Sequence, residues 1–303
     1  MLINKTNVLA LFKSIVTSFN KSLAEAKPMW PKIATRIPSG SSSNNYGWLK
    51  DGWPSLRKWI GDKHVKYLSA SGQTIPNEPY ESTIGVKRDD LEDDNYGIYG
   101  PLSAAEGAAA AAWPEELIAD RLNNAFEEGC YDGQPFIDTD HPVGDGTVSN
   151  KSTKKLDITT LAKAQGSYGA ARTAMKKLKN ENARPLNIMP NLLVVPPALE
   201  DAANALMSVD KLEDGKPNPY KGTAEVMVWP YLTDDDAWFL MDTSKALKPL
   251  IFQERKKPKA VSQTDPASDD VFNKAVYKFS IEARGASGFG FWQLCHGSTG
   301  ADA

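Results

Sequence analysis

Between residues 30 and 88 the chain carries a long stretch with no helical periodicity, and no other feature limits its possible folds as strongly. Turn-forming residues crowd it: Pro38-Ser39-Gly40-Ser41-Ser42-Ser43-Asn44-Asn45, Asp51-Gly52, Trp53-Pro54 and Gly61-Asp62. Alternating residues flank these turns. Ile33, Thr35 and Ile37 share one face, and Tyr80, Ser82, Ile84 and Val86 share another, opposite Glu81, Thr83, Gly85 and Lys87. Trp30, Trp48, Trp53 and Trp59, half of the eight tryptophans, fall within this stretch. A long non-helical excursion in a compact domain is usually either a misread element or a functional projection. An isolated hairpin is only marginally stable in water, so an arm this aromatic has to pack on its own chain or on a neighbouring subunit.

The rest of the chain can support such a projection. Its 303 residues, 41% apolar and 24% charged, are enough for two domains or two lobes with a sizeable core. A net charge of −3 excludes a polycationic nucleic-acid binder. No segment approaches the ~20 apolar residues of a membrane span. At the N-terminus, Val8, Phe12, Ile15 and Phe19 recur at helical spacing, and Lys13, Asn20 and Lys21 break any signal-peptide pattern. An amphipathic helix lying against another surface is expected there. Cys130 and Cys295 are far apart without a CxxC pair and are expected to be free thiols.

Downstream of an acidic run, Arg88-Asp89-Asp90-Leu91-Glu92-Asp93-Asp94, the alanine-rich segment from Ala104 to Ala112 predicts a helix. Pro114 suits the first turn of a fresh or kinked continuation, with Glu115 and Glu116 at its positive end. Ile118, Leu122 and Phe126 form the buried stripe, and Gly129 closes what should be the longest helix. A second helix is expected over 157–180, capped by Asp157 and burying Leu161, Tyr168, Met175 and Leu178. Leu192–Val195 predicts a buried strand that Pro196-Pro197 ends, ahead of a helix from Ala198 to Met207. Strands follow at Glu225–Trp229, Ala237–Met241 and Pro249–Glu254. Tyr277, Phe279, Ile281 and Ala283 alternate with Lys278, Ser280, Glu282 and Arg284, as in a half-buried antiparallel strand. Lys256–Pro258 and Ser262–Asp270 are expected to form an exposed loop, with the basic run Arg255–Lys259 at a solvated hairpin tip, and the tail Gly297–Ala303 to be frayed.

Chemistry has little to build on. Asp138, Asp140 and His141 lie close enough to hold a divalent metal or serve as acid and base. No second cluster of Asp, Glu or His has recognisable spacing, and only three histidines exist (His64, His141, His296), so a structured loop is expected. The acidic run lacks the glycine and glutamate of an EF-hand. The glycines of 285–290 form neither a P-loop nor a dinucleotide fingerprint. No catalytic residue, cofactor or metal ligand is expected.

The order of these elements resembles the Hong Kong 97-type major capsid fold, and the sequence resembles the Mu-like phage major head subunit family, gene product T. The resemblance covers nearly the whole chain. It rests on Phe19-Asn20-Lys21, on Asn44-Asn45-Tyr46-Gly47-Trp48-Leu49, and on Leu56-Arg57-Lys58-Trp59-Ile60-Gly61-Asp62. Tyr80–Val86 with Arg88–Asn95, Cys130–Gly133 with Phe136–Pro142, and Pro190–Pro197 complete it.

The resemblance implies an α+β fold with residues 1–30 as an N-terminal arm and 31–88 as an extended E-loop hairpin. Residues 89–150 and 248–290 would form a peripheral domain with a long spine helix, and 151–247 and 291–303 an axial domain. The implied function is that of a major capsid protein, self-assembling through pentamers and hexamers into an icosahedral shell around double-stranded DNA. Trp48, Trp53, Trp59, Phe12 and Phe19 are then the candidate intersubunit contacts. Implied partners are further copies of the chain, a scaffolding protein, a portal and non-specifically held DNA, with room for a decoration protein and no membrane. The implied place is the virion, after assembly in the bacterial cytoplasm. The fold is expected to begin within about thirty residues, which would imply a separate scaffold and protease. The alternatives are a cargo-enclosing shell of the same fold and a metal-dependent hydrolase using the Asp138/Asp140/His141 loop.

Overall fold

The computed structural model describes residues 5–47, 72–92, 99–180, 183–265 and 267–302. Helix α1 (Lys5–Glu25) leads through a 3₁₀ turn at Trp30–Lys32 to strands β1 (Ala34–Pro38), β2 (Ser43–Tyr46), β3 (Gln73–Pro76) and β4 (Glu78–Lys87). A short helix α2 (Arg88–Glu92) and the long helix α3 (Tyr99–Asn123) follow. Next come a small hairpin, β5 (His141–Val143) and β6 (Gly146–Val148), and strand β7 (Lys151–Lys154). Helix α4 (Leu161–Ala164) joins α5 (Ala170–Lys177) through a π-helical turn at Gln165–Gly169. Then come β8 (Leu192–Val195), α6 (Glu200–Ser208), β9 (Glu225–Val228), β10 (Trp238–Met241), β11 (Leu250–Gln263), α7 (Asp269–Lys274), β12 (Val276–Phe289) and β13 (Cys295–Asp302).

Two sheets organise these elements. The first has the order β1-β11-β12-β4, with β1 parallel to β11 and the other neighbours antiparallel. Its two edge strands flank the excursion, which departs at Pro38 and returns at Glu78. The second has the order β7-β13-β10-β8-β9. Leu192–Val195 and Trp238–Met241 are buried along their whole length there, because they are interior strands covered on both faces. One contiguous core runs through both sheets and buries Trp229, Trp238, Phe252, Phe289 and Trp292. Each such side chain contributes about 2–3 kcal/mol by leaving water.

Helix α3 connects this core to α1. Its C-terminal half buries Trp113, Ile118 and Leu122, and Trp113 packs edge-on against Phe252 with ring centroids 5.5 Å apart. Its N-terminal half presents small residues to α1. A Cβ on Gly107 would lie 2.5 Å from the Phe19 carbonyl oxygen, so only glycine allows this approach. Ser103 donates to the Ile15 carbonyl at 2.6 Å, and Ser18 donates to that of Gly100 at 3.1 Å.

Several sequence expectations need correction. Helix α3 continues through Pro114 rather than starting afresh there and ends at Asn123 rather than at Gly129, and the buried Glu115 carboxylate accepts the main-chain N–H groups of Met29 and Trp30. Thr160, not Asp157, caps α4, while Asp157 accepts the Thr159 N–H at 2.9 Å in the preceding turn. The basic run Arg255–Lys259 lies within β11 rather than at a hairpin tip, which instead carries α7. The register shifts on both sides of Lys256, and Pro258 sits in that irregular stretch where no ladder N–H is required. The tail is not frayed. Gly297 and Ser298 pair with Phe239 and Trp238 on one side and with Lys151 and Ser152 on the other.

Candidate assembly surfaces

The root of the excursion is the most elaborate polar structure in the first sheet. Strands β2 and β3 form an antiparallel stem whose last pair is Tyr46 with Gln73, so the chain departs and returns at one place. Beneath the stem lies Gln253 of β11, fully buried. Its oxygen accepts the Tyr46 hydroxyl at 2.8 Å, and its amide donates to the Ile75 carbonyl at 3.0 Å and to Asn77 Oδ1 at 2.8 Å. Asn77 donates in turn to Ser39 Oγ at 2.8 Å and to the Ser41 carbonyl at 2.9 Å, and Ser39 donates to Asn44 Oδ1 at 2.8 Å. Burial raises the pKa of the Tyr46 hydroxyl, partly offset by Asn44, which keeps it a proton donor. Ile75 fills the space above Gly288, where a Cβ would lie 2.1 Å from its Cδ1. A satisfied buried network of this kind fixes one geometry, because any slip strands several polar groups. Sequence inspection missed Gln253 and Asn77, since nothing local marks a lone amide as buried.

The predicted contact residues are distributed unevenly. Trp48, Trp53 and Trp59 lie outside the described residues. Phe19 is buried within the chain itself, between α1 and α3, and Phe12 stacks on Phe279 of β12 with centroids 5.6 Å apart. Both rings therefore have partners in their own subunit. The far end of the β11–β12 hairpin presents Phe272, 78% exposed, beside Asp270, which Lys274 and Lys278 hold down to a pKa of about 2. Arg255, Lys256, Lys257 and Lys259 are exposed along β11.

The Asp138, Asp140 and His141 loop does not assemble as the hydrolase alternative needs. His141 is fully buried and stacks on Trp292 with centroids 4.0 Å apart. Its Nδ1 faces Asp132 Oδ2 at 2.7 Å and its Nε2 faces Asn150 Oδ1 at 3.1 Å. Asp138 meets Asn150 through its own main-chain N–H and carbonyl and not through its carboxylate, and Asp140 is exposed. Burial works against ionisation of Asp132, but hydrogen bonds from His141, Cys130 and the Gln134 N–H outweigh it and hold its pKa below the usual value. Burial drives the Cys130 and Cys295 thiols far up, so neither is an activated nucleophile. The partners of His141 were missed because a tight turn brings back residues nine positions away on either side of it.

The described residues present buried polar joints, and known proteins show what kind of body they belong to. The family model for the Mu-like prophage major head subunit gpT matches residues 8–162, 158–232 and 233–301. The chain belongs to this family. The major capsid protein of Escherichia phage Mu is 31% identical over 297 residues, covering 97% of this chain and 74% of that one. The chain in the procapsid of bacteriophage JBD30 superposes with a TM-score of 0.63 at 34% identity, covering 98% of this chain and 76% of the other. The JBD30 capsid decorated with minor capsid protein trimers gives a TM-score of 0.61 at 32% identity over 70% of this chain and 93% of the other. The fold is thus the Hong Kong 97-type capsid fold, and the protein is a Mu-like major head subunit. It is structural and not an enzyme, and its place is the capsid of the virion, in contact with copies of itself.

Proposed function

We propose that this major head subunit closes through pentamers and hexamers into an icosahedral shell around double-stranded DNA, and that the excursion rooted on Gln253 supplies its principal contacts between subunits. The stem carries this proposal. Tyr46 and Gln73 pair at its end, and the sequence between them contains Trp48, Trp53 and Trp59. A rigid root under an aromatic segment suits a part that must reach a neighbour at a defined angle, and ring-forming interfaces are heterologous in this way. Under this division residues 1–30 are the N-terminal arm and 31–88 the E-loop. Residues 89–150 and 248–290 form the peripheral domain, and 151–247 and 291–303 the axial domain. Phe12 and Phe19 hold the arm to the body and set where its outer face meets a neighbour.

A scaffolding protein and a portal join the assembly in the host cytoplasm, and DNA enters without sequence-specific contacts, consistent with a net charge of −3. The decorated JBD30 capsid supports a place for a minor capsid protein on this shell too. Electron microscopy of the chain co-expressed with its scaffold tests the proposal. Closed shells are expected, and shells recovered from infected cells should contain DNA. Only soluble oligomers with the scaffold present would refute it, and shells filled with protein would favour the cargo-enclosing alternative.

A further inference from the structure

The turn after α3 brings a thiol, a carboxylate and an imidazole to one point. Gly129 and Pro135 bridge across the turn, Gly133 takes a φ of +93°, and Asp132 Oδ1 accepts the Gln134 N–H at 3.0 Å. The Cys130 Sγ lies 3.1 Å from the same Asp132 oxygen, and His141 Nδ1 lies 2.7 Å from the other. One donor atom from each of the three residues lies within 4.8 Å of the other two.

Asn150 decides what His141 presents to this point. Its Nδ2 faces the carbonyl oxygens of Phe136 at 2.9 Å, Cys295 at 3.1 Å and Trp292 at 3.4 Å, while its Oδ1 accepts the Asp138 N–H at 2.8 Å. Turning the amide over would aim an oxygen at three oxygens. The orientation is therefore fixed, and Asn150 Oδ1 can only accept from His141 Nε2, which must carry a proton. In the neutral ring Nδ1 is then a bare lone pair facing a carboxylate oxygen at hydrogen-bond distance. At 2.7 Å only a proton fits between them, and a metal ion bound by both would need the two side chains to open by roughly half an ångström.

Without metal the thiol donates to Asp132 Oδ1 and the ring shares a proton with Oδ2, so the three donors stay together. The same three donors are a set that one metal ion can take up. Sulfur, nitrogen and oxygen donors suit zinc, and a hydrogen bond from the far ring nitrogen to a fixed oxygen is the usual support of a ligating histidine.

We propose that Cys130 Sγ, Asp132 and His141 Nδ1 bind one zinc ion, with Asn150 holding the ring from behind and solvent completing the tetrahedron at the partly exposed edge of Asp132. The ion staples the turn after α3 to the C-terminal segment through the Trp292 stack. Cobalt(II) added to the full-length chain is the direct probe, alongside zinc content by mass spectrometry after zinc addition and desalting. One ion per chain and a thiolate-to-cobalt charge-transfer band are expected. The band should vanish in Cys130→Ser, and Asp132→Asn should weaken binding at least about tenfold. A chelator should lower the melting temperature of the wild type and leave that of Cys130→Ser unchanged. Absence of stoichiometric metal and of the band in the wild type overturns the proposal, and needs no variant to fold. So does a band that survives in Cys130→Ser, which would mark Cys295 or an adventitious ion.

Discussion

Gln253 accepts a hydrogen bond from the Tyr46 hydroxyl at 2.8 Å across 207 residues of sequence, and so ties the stem of the excursion to an interior strand of the first sheet. The same side chain donates to Asn77 and Ile75, so it serves both stem strands and the residue that follows them.

Replacing Gln253 by Leu keeps the volume and removes all three bonds. The Tyr46 hydroxyl, Asn77 Oδ1 and the Ile75 carbonyl would stay buried with those partners gone, at about 1–3 kcal/mol for each group that water cannot reach. A loss of about 3 kcal/mol is expected, visible as a lower urea midpoint. An unchanged midpoint would mean that the stem is not seated on this residue.

His296 sets a second expectation. It is 4% exposed, neither ring nitrogen has a hydrogen-bond partner among the described residues, and burial lowers its pKa from 6.5 to about 4. The folded state therefore excludes a proton that the unfolded chain binds. Stability from this residue is complete above pH 6.5 and is lost as pH falls toward 4, by roughly 1.4 kcal/mol per unit. The unfolding free energy of wild type minus that of His296→Leu, measured from pH 7.5 to 4.5, should fall steadily as pH falls. Parallel curves would show that His296 does not stay neutral in the fold.

The packing of α1 on α3 gives a third. Alanine at Gly107 gains about 1 kcal/mol of helix propensity. Its Cβ, however, would sit 2.5 Å from the Phe19 carbonyl oxygen, a backbone atom that cannot swing away. The clash wins, and Gly107→Ala should loosen α1 while the two sheets persist. Limited proteolysis should cut within residues 5–25 faster than in wild type, with far-UV circular dichroism nearly unchanged.

Segments whose partners are implied by their own pattern were legible in the sequence. The alternation of Tyr277–Ala283 and of Tyr80–Val86 found two strands that pair with each other, and Leu192–Val195 announced an interior strand. Elements defined by distant contacts were not. The tail Gly297–Ser298 has no apolar pattern, because Gly297 sits so close to Ile137 that an added Cβ would lie 2.9 Å from it. Lys256–Lys259 has loop composition, yet its neighbours Arg284 and Glu282 hold it in a bulged strand. Around His141 the nearby carboxylates of Asp138 and Asp140 drew attention, while a positive-φ turn delivered Asp132 instead.

The central claim is that the body folds on its own and that residues 48–71 serve assembly. Replacing them by a short Gly-Ser turn, with Tyr46 and Gln73 kept, isolates that claim. Loop closure changes by only about 0.6 kcal/mol per doubling of length, so circular dichroism and the unfolding midpoint should stay close to wild type. Assembly should fail, because each subunit loses Trp48, Trp53 and Trp59, and large aromatic anchors are often worth ~2 kcal/mol or more each at interfaces. Analytical ultracentrifugation and electron microscopy of the variant co-expressed with scaffold should then show a folded subunit and no shells. A variant that cannot fold, or one that still closes shells, would contradict the account.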